Sequence, residues 1–163
     1  MDVIKTEIIY KSYHGIDSLP ALEKNLMLAA MQAAQSAYAP YSSFFVGAAA
    51  QLENGTIVLG SNQENAAYPS SLCAERVALF SVGAQHPDIP VVAIAVTAFM
   101  GNLDNQHPVS PCGACRQVMS EFEHRYGKPV KMIMMASPNQ IIVLESVKQL
   151  LPFTFNSDSM KST

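Results

Sequence analysis

The stretch IPVVAIAVTAF, Ile89 to Phe99, is uncharged and nearly all apolar over eleven residues. It falls well short of the ~20 apolar residues that a membrane-spanning helix requires. A run apolar on successive positions, rich in Val and Ile, reads as a strand buried on both faces. The rest of the chain supplies what would cover it. Ser18 ahead of Pro20 resembles a helix start, and Leu22, Leu26, Ala30, Ala33 and Ala37 keep helical spacing until YAPYS ends the pattern near Ala39. FFVGAAAQL (Phe44–Leu52) and IVLGS read as two strands joined by the turn ENGT. Ser70 or Ser71 is placed to cap a helix running to about Val82, and Cys112 to about Tyr126 reads as another, stopped by Gly127. PVKMIMMA and IIVLES are two further strands, and VKQLLP a short final helix. Helices alternating with buried strands predict an α/β layered domain with a mixed sheet of about five strands. Ligands in such sheets bind at strand ends, beside helix N-termini.

At 163 residues the chain reads as one domain, without repeats or linkers. Residues 1–18, with the extended-looking VIKTEIIY, stand as an N-terminal extension able to add an edge strand or an interface, and 156–163 (NSDSMKST) as a flexible tail. Charged residues make up 14% of the chain, against roughly 25% in a typical soluble domain. No apolar run explains this by membrane insertion, and MDVIKTEIIYKSYHG lacks the apolar centre of a signal peptide. The expected location is therefore cytoplasmic, and the expected cause of the low charge is a surface covered by further copies of the chain. A net charge of −3 without basic runs argues against a nucleic-acid partner and for a small, weakly charged ligand.

The chemistry concentrates in CAERVALF (Cys73–Phe80) and PCGACRQVMSEF (Pro111–Phe122), which hold all three cysteines. An odd count without a secretion signal is no disulfide framework. Cys112 and Cys115 form a C-x-x-C pair at a loop-to-helix junction, and Cys73 sits at another helix start. Helix N-termini favour thiolates. Three thiolates make three corners of a zinc tetrahedron, with the fourth free for water as in catalytic sites. Neither stretch offers a His in ligand spacing; His107 is the nearest, five residues before Cys112. Inert structural thiols and a redox C-x-x-C are the plainer readings. Glu75 would ordinarily complement the helix dipole, but beside an open zinc it becomes the candidate general acid–base. Zinc with three thiolates carries a net charge of −1, which Arg76 is placed to offset by donating to sulfur. Arg116 could act similarly.

CAER followed by PCGACRQV resembles the cytidine deaminase family, in its small three-cysteine homotetrameric class. AYAPYSSFFVGAAA, GSNQENAAYPSSLCAERVALFSVG, PVSPCGACRQVMSEF and LLPFTF extend the likeness over nearly all of residues 34–155. The resemblance implies a three-layer α/β/α domain, one zinc per chain on Cys73, Cys112 and Cys115, and hydrolytic deamination of cytidine and deoxycytidine. It implies that Glu75 passes protons from water to N3 of the base and then to the departing amine. Asn62 and Glu64 match the pair that bonds the ribose hydroxyls, and Phe44 the aromatic packed on the base. Ala74 would offer its backbone N–H to the pyrimidine O2, and Phe155 would close a neighbouring subunit's pocket in a tetramer. Rival readings are a same-fold deaminase of another aminated nucleoside such as blasticidin S, a non-catalytic zinc-binding module, and a polynucleotide-editing deaminase. NQEN favours ordinary nucleosides over the first, the open fourth corner and Glu75 oppose the second, and the acidic balance disfavours the third.

Overall fold

In the computed structural model, which describes residues 1–99, 109–137 and 139–160, the apolar run Val91–Phe99 (β4) lies inside a six-stranded mixed sheet. The other strands are Lys11–Tyr13 (β1), Phe45–Leu52 (β2), Ile57–Ser61 (β3), Lys131–Ser137 (β5) and Gln140–Leu144 (β6), in the order β1-β6-β5-β4-β2-β3. Only β4 and β5 run parallel, as the one pair of sheet neighbours that a helix, Gly113–Tyr126 (α3), joins directly; every other neighbouring pair is antiparallel. Alternation along β4 serves two cores. Ile94, Val96 and Ala98 pack with α3 and with Ala74–Gln85 (α2), while Ala93 and Ala95 face Ala21–Ala34 (α1). The layers are thus α1, sheet, and α2 with α3. Ile94, Leu79, Met119 and Met132 are essentially fully buried, each contributing about 1.5–3 kcal/mol by leaving water.

Two glycines set how deep the helices lie. A Cβ at Gly47 would meet Ala30 O at 2.0 Å, and one at Gly60 would meet Ala74 O and Ala78 N at 2.4 Å. Both helices therefore rest directly on strand backbone, and Gly60 fixes the depth of the first turn of α2.

The expected elements need several adjustments. The sixth strand comes from the extension: Lys11 pairs with Val143 and Tyr13 with Ile141, so β1 covers the edge of β6. Residues 1–10 ahead of it form no regular element. Ser18 ends a short 3-10 turn rather than opening α1, which starts at Ala21 after Pro20 and stops at Ala34 rather than Ala39. Leu22, placed on the apolar stripe, is 68% exposed, whereas Leu26, Ala30 and Ala33 are buried. VKQLLP forms only a 3-10 turn, Val147–Leu150. Part of the tail expected to be flexible is structured. Ser157–Met160 makes a 3-10 turn, and Ser157 Oγ lies 3.1 Å from His124 Nε2 on α3. Among the described residues no helix is long and apolar enough to cross a membrane. His107 lies outside the described residues.

Candidate active site

Neither serine caps α2. Cys73 itself occupies the N-cap position, and Ser71 Oγ instead accepts a hydrogen bond from the Asn65 backbone N–H at 2.9 Å. Cys112 takes the corresponding position of α3, and neither cysteine makes a side-chain capping bond. Both sulfurs are left free to point elsewhere, and they converge. Cys73 Sγ lies 3.7 Å from Cys112 Sγ, Cys112 Sγ lies 3.4 Å from Cys115 Sγ, and all three fall within 4.8 Å of one another. Zn–S bonds of about 2.3 Å in a tetrahedron require sulfurs about 3.8 Å apart, so the residues present fit zinc. The cysteines are free thiols. A redox pair would leave the third thiol unexplained.

Protons divide unequally among these sulfurs. Cys73 is pushed down to about 5, first by a hydrogen bond from Cys115 and then, against its burial, by Arg76. Cys115 is pushed up, because its proton is committed to Cys73 and burial penalises its thiolate. Arg76 Nη2 stands 3.9 Å from Cys73 Sγ and 3.4 Å from the Ser71 carbonyl, where it offsets negative charge on sulfur. Arg116 does not take the role expected of it. Its guanidinium donates to Pro111 O, Ser110 Oγ and Leu150 O instead.

Glu75, in the first turn of α2, is 4% exposed. Burial raises its pKa, and the nearby Cys73 thiolate adds to the rise. A first-turn carboxylate serving only the helix dipole belongs in water; this one lies against the thiols.

A cleft of about 400 Å³ opens over the cluster, lined by Phe44, Asn62, Glu64, Cys73, Glu75 and Cys112 among others. The sequence places these six on one strand start (Phe44), one loop (Asn62 and Glu64) and two helix starts (Cys73 with Glu75, and Cys112). Asn62 is buried, its Oδ1 accepting from Val46 N at 2.8 Å and its Nδ2 donating to Phe44 O at 2.9 Å. One N–H of that amide remains. Glu64 accepts from Ser42 Oγ, Tyr41 N and Ser42 N. These bonds, the Ser42 hydroxyl foremost, hold its carboxyl below the usual range. A carboxylate has about four acceptor sites, so one is left. Ala74 is fully buried at the first position of α2, where a helix N–H has no intrahelical partner. Phe155 is 60% exposed and does not line this cleft. Tyr68 does, and stands edge-on to Tyr41 at 6.0 Å. The sequence reading passed over Tyr68; an aromatic inside an otherwise polar loop was the available signal.

Three convergent thiols with a buried acid against them, at two helix starts beside a sheet, make up the donor set of a zinc site. Residues 20–128 match the cytidine and deoxycytidylate deaminase zinc-binding region. The cytidine deaminase of Halalkalibacterium halodurans is 42% identical over 135 residues, covering 83% of this chain and 95% of that protein. That of Sporosarcina psychrophila is 46% identical over 99 residues, 61% of this chain and 68% of that one. The solved cytidine deaminase of Burkholderia pseudomallei superposes with a TM-score of 0.70 at 42% identity, covering 80% of this chain and 97% of that one. That of Mycobacterium tuberculosis gives 0.62 at 32% identity, over 81% and 95%. The chain belongs to the zinc-binding cytidine and deoxycytidylate deaminase family.

Proposed function

We propose that this chain hydrolyses cytidine and deoxycytidine to uridine and deoxyuridine, releasing ammonia, with zinc held by Cys73, Cys112 and Cys115. The observation that carries the reading is a carboxyl 4% exposed beside three convergent thiols in a cleft of nucleoside size. The named activity of the relatives supports it.

Bound zinc supplies Lewis acidity, which makes water nucleophilic near neutral pH. Glu75 accepts the proton of the attacking water and delivers it to N3 of the pyrimidine. Its raised pKa, due to burial, suits a group that must also give the proton back. Water oxygen bonds to C4, the C4–N bond breaks, and Glu75 carries the second proton to the departing amine. The Ala74 N–H holds O2 of the ring, and Phe44 packs on its face. The spare acceptor site of Glu64 and the spare N–H of Asn62 read the ribose hydroxyls. An ionised Glu64 also repels a 5'-phosphate, which favours nucleosides over nucleotides.

A homo-oligomer, taken as a tetramer, completes the proposal. Phe155 is exposed but held in place, with Gln117 Nε2 donating to its carbonyl at 2.7 Å and Thr154 Oγ1 2.9 Å from Ser120 Oγ. Such a residue is presented rather than loose, which suits closure of a neighbour's cleft. The activity is tested by following the absorbance of cytidine, deoxycytidine, deoxycytidine monophosphate and adenosine with zinc-loaded protein. Turnover of the first two is expected; failure on both nucleosides would end the proposal.

A further inference from the structure

Of the three thiols only Cys112 is exposed, Cys115 being buried and Cys73 half-buried. Packing therefore does least for Cys112, and something else must hold it. Its main chain is reached by Arg116, half-buried one turn along α3. Arg116 Nε donates to Pro111 O at 2.9 Å and Nη2 to Ser110 Oγ at 2.8 Å. The Pro111 carbonyl belongs to the peptide that leads into Cys112, so the bond fixes the plane from which that residue departs. The third donor, Nη1, reaches Leu150 O at 3.1 Å, in the segment that runs on to Phe155. Three donors of one rigid fork thus join the approach to Cys112 and the C-terminal segment. An ammonium cannot satisfy three acceptors in that fan.

We propose that Arg116 is a positioning residue for the metal centre, fixing the Ser110–Cys112 peptide and locking it to the C-terminal segment at Leu150. The proposal rests on Cys112 being a zinc ligand. Groups that orient metal ligands typically change affinity 10- to 100-fold when removed.

The test uses zinc-loaded R116K, S110A and C112A, with I141V as a core substitution on the opposite face of the sheet. Zinc transfer to a chromophoric chelator, hydrogen exchange over residues 147–155 and urea midpoints are measured on each. R116K should bind zinc about 10- to 100-fold more weakly and exchange faster over 147–155. S110A should shift zinc affinity in the same direction by less, and I141V should lower the urea midpoint without changing zinc transfer. R116K with a lowered midpoint but wild-type zinc affinity and local exchange would overturn the proposal. If R116K does not fold, S110A decides, and wild-type zinc transfer in S110A would overturn it. C112A that keeps wild-type zinc affinity would instead remove the ligand assignment, a failure distinguishable from loss in C112A with retention in R116K.

Discussion

Glu75→Gln separates the two things a first-turn carboxylate can do. The exchange replaces one oxygen by an amide nitrogen of nearly equal size in a side chain 4% exposed, so packing changes little. Losing a negative charge at the start of α2 costs about 0.3–1 kcal/mol through the helix dipole. Burial already pushes the acid toward its neutral form, so part of that benefit is missing in the native protein. A neutral amide also escapes the desolvation penalty. Stability should therefore move by less than about 1 kcal/mol in either direction. Catalysis should respond on another scale. An amide accepts no proton at neutral pH, and removing a general acid–base costs about 10²–10⁴-fold. That equals about 3–5.5 kcal/mol of activation free energy. Because Glu75 serves successive transfers, the loss should reach the upper end. The assay is cytidine absorbance loss on one preparation, with zinc content, nucleoside affinity and urea midpoint measured alongside. Zinc and nucleoside should remain bound. Turnover within about tenfold of wild type would refute the role assigned to Glu75.

Gly60→Ala should push α2 off β3, because the added carbon would sit 2.4 Å from Ala74 O and Ala78 N. Overpacking of this kind costs about 1–3 kcal/mol, and metal content should fall with the urea midpoint, since Cys73 moves with the helix start. Phe155→Ala should raise KM with little change in stability, because the ring is 60% exposed on the single chain. Light scattering at assay concentration checks the assembly behind that expectation, and a fully active monomer would contradict it.

The site was more legible than the scaffold because its chemistry leaves few alternatives. Cys73, Glu75 and Arg76 fall in four consecutive positions, and only a turn into a helix can bring a second such group, Cys112 and Cys115, within 4.8 Å. Central β4 was equally plain, since nothing but burial on two faces accounts for Val91–Ala98. The parts left open or misread depend on partners distant in sequence. Lys11–Tyr13 is a strand only because β6 offers an edge, with Lys11 Nζ bonded to Glu145 at 2.7 Å. Leu22 keeps helical spacing yet is 68% exposed, at the rim of a groove that it shares with Leu26, Gln51 and Ala93. Arg116 matched the sequence criterion for a charge compensator, adjacency to a ligand cysteine, but neighbouring helix residues point about 100° apart. Arg76, three residues from Cys73, reaches its sulfur at 3.9 Å; Arg116 points away from Cys115 and, though one turn from Cys112, spends its donors on Pro111 O, Ser110 Oγ and Leu150 O.

The vacancy of both helix caps carries a final consequence. Ser, Asp or Asn at an N-cap stabilises a helix by about 0.5–2 kcal/mol through a bond to an N2 or N3 amide, and Cys73 and Cys112 make no such bond. The ligand positions are thus held by residues that serve the helices poorly. Cys112→Ser should expose this as a change of sign. In excess chelator the hydroxyl can cap the Ala114 or Cys115 N–H, so the variant should be more stable than wild type by about 0.5–2 kcal/mol. In zinc the order should invert. Wild type gains about 4 kcal/mol when free metal is a thousand times its Kd, and a variant short of a thiolate forgoes most of that. Urea unfolding of both proteins, with chelator and with buffered zinc, measures all four stabilities. A variant less stable than wild type in chelator as well would show that Cys112 supports the fold by packing, and that its place at the helix start costs the protein nothing.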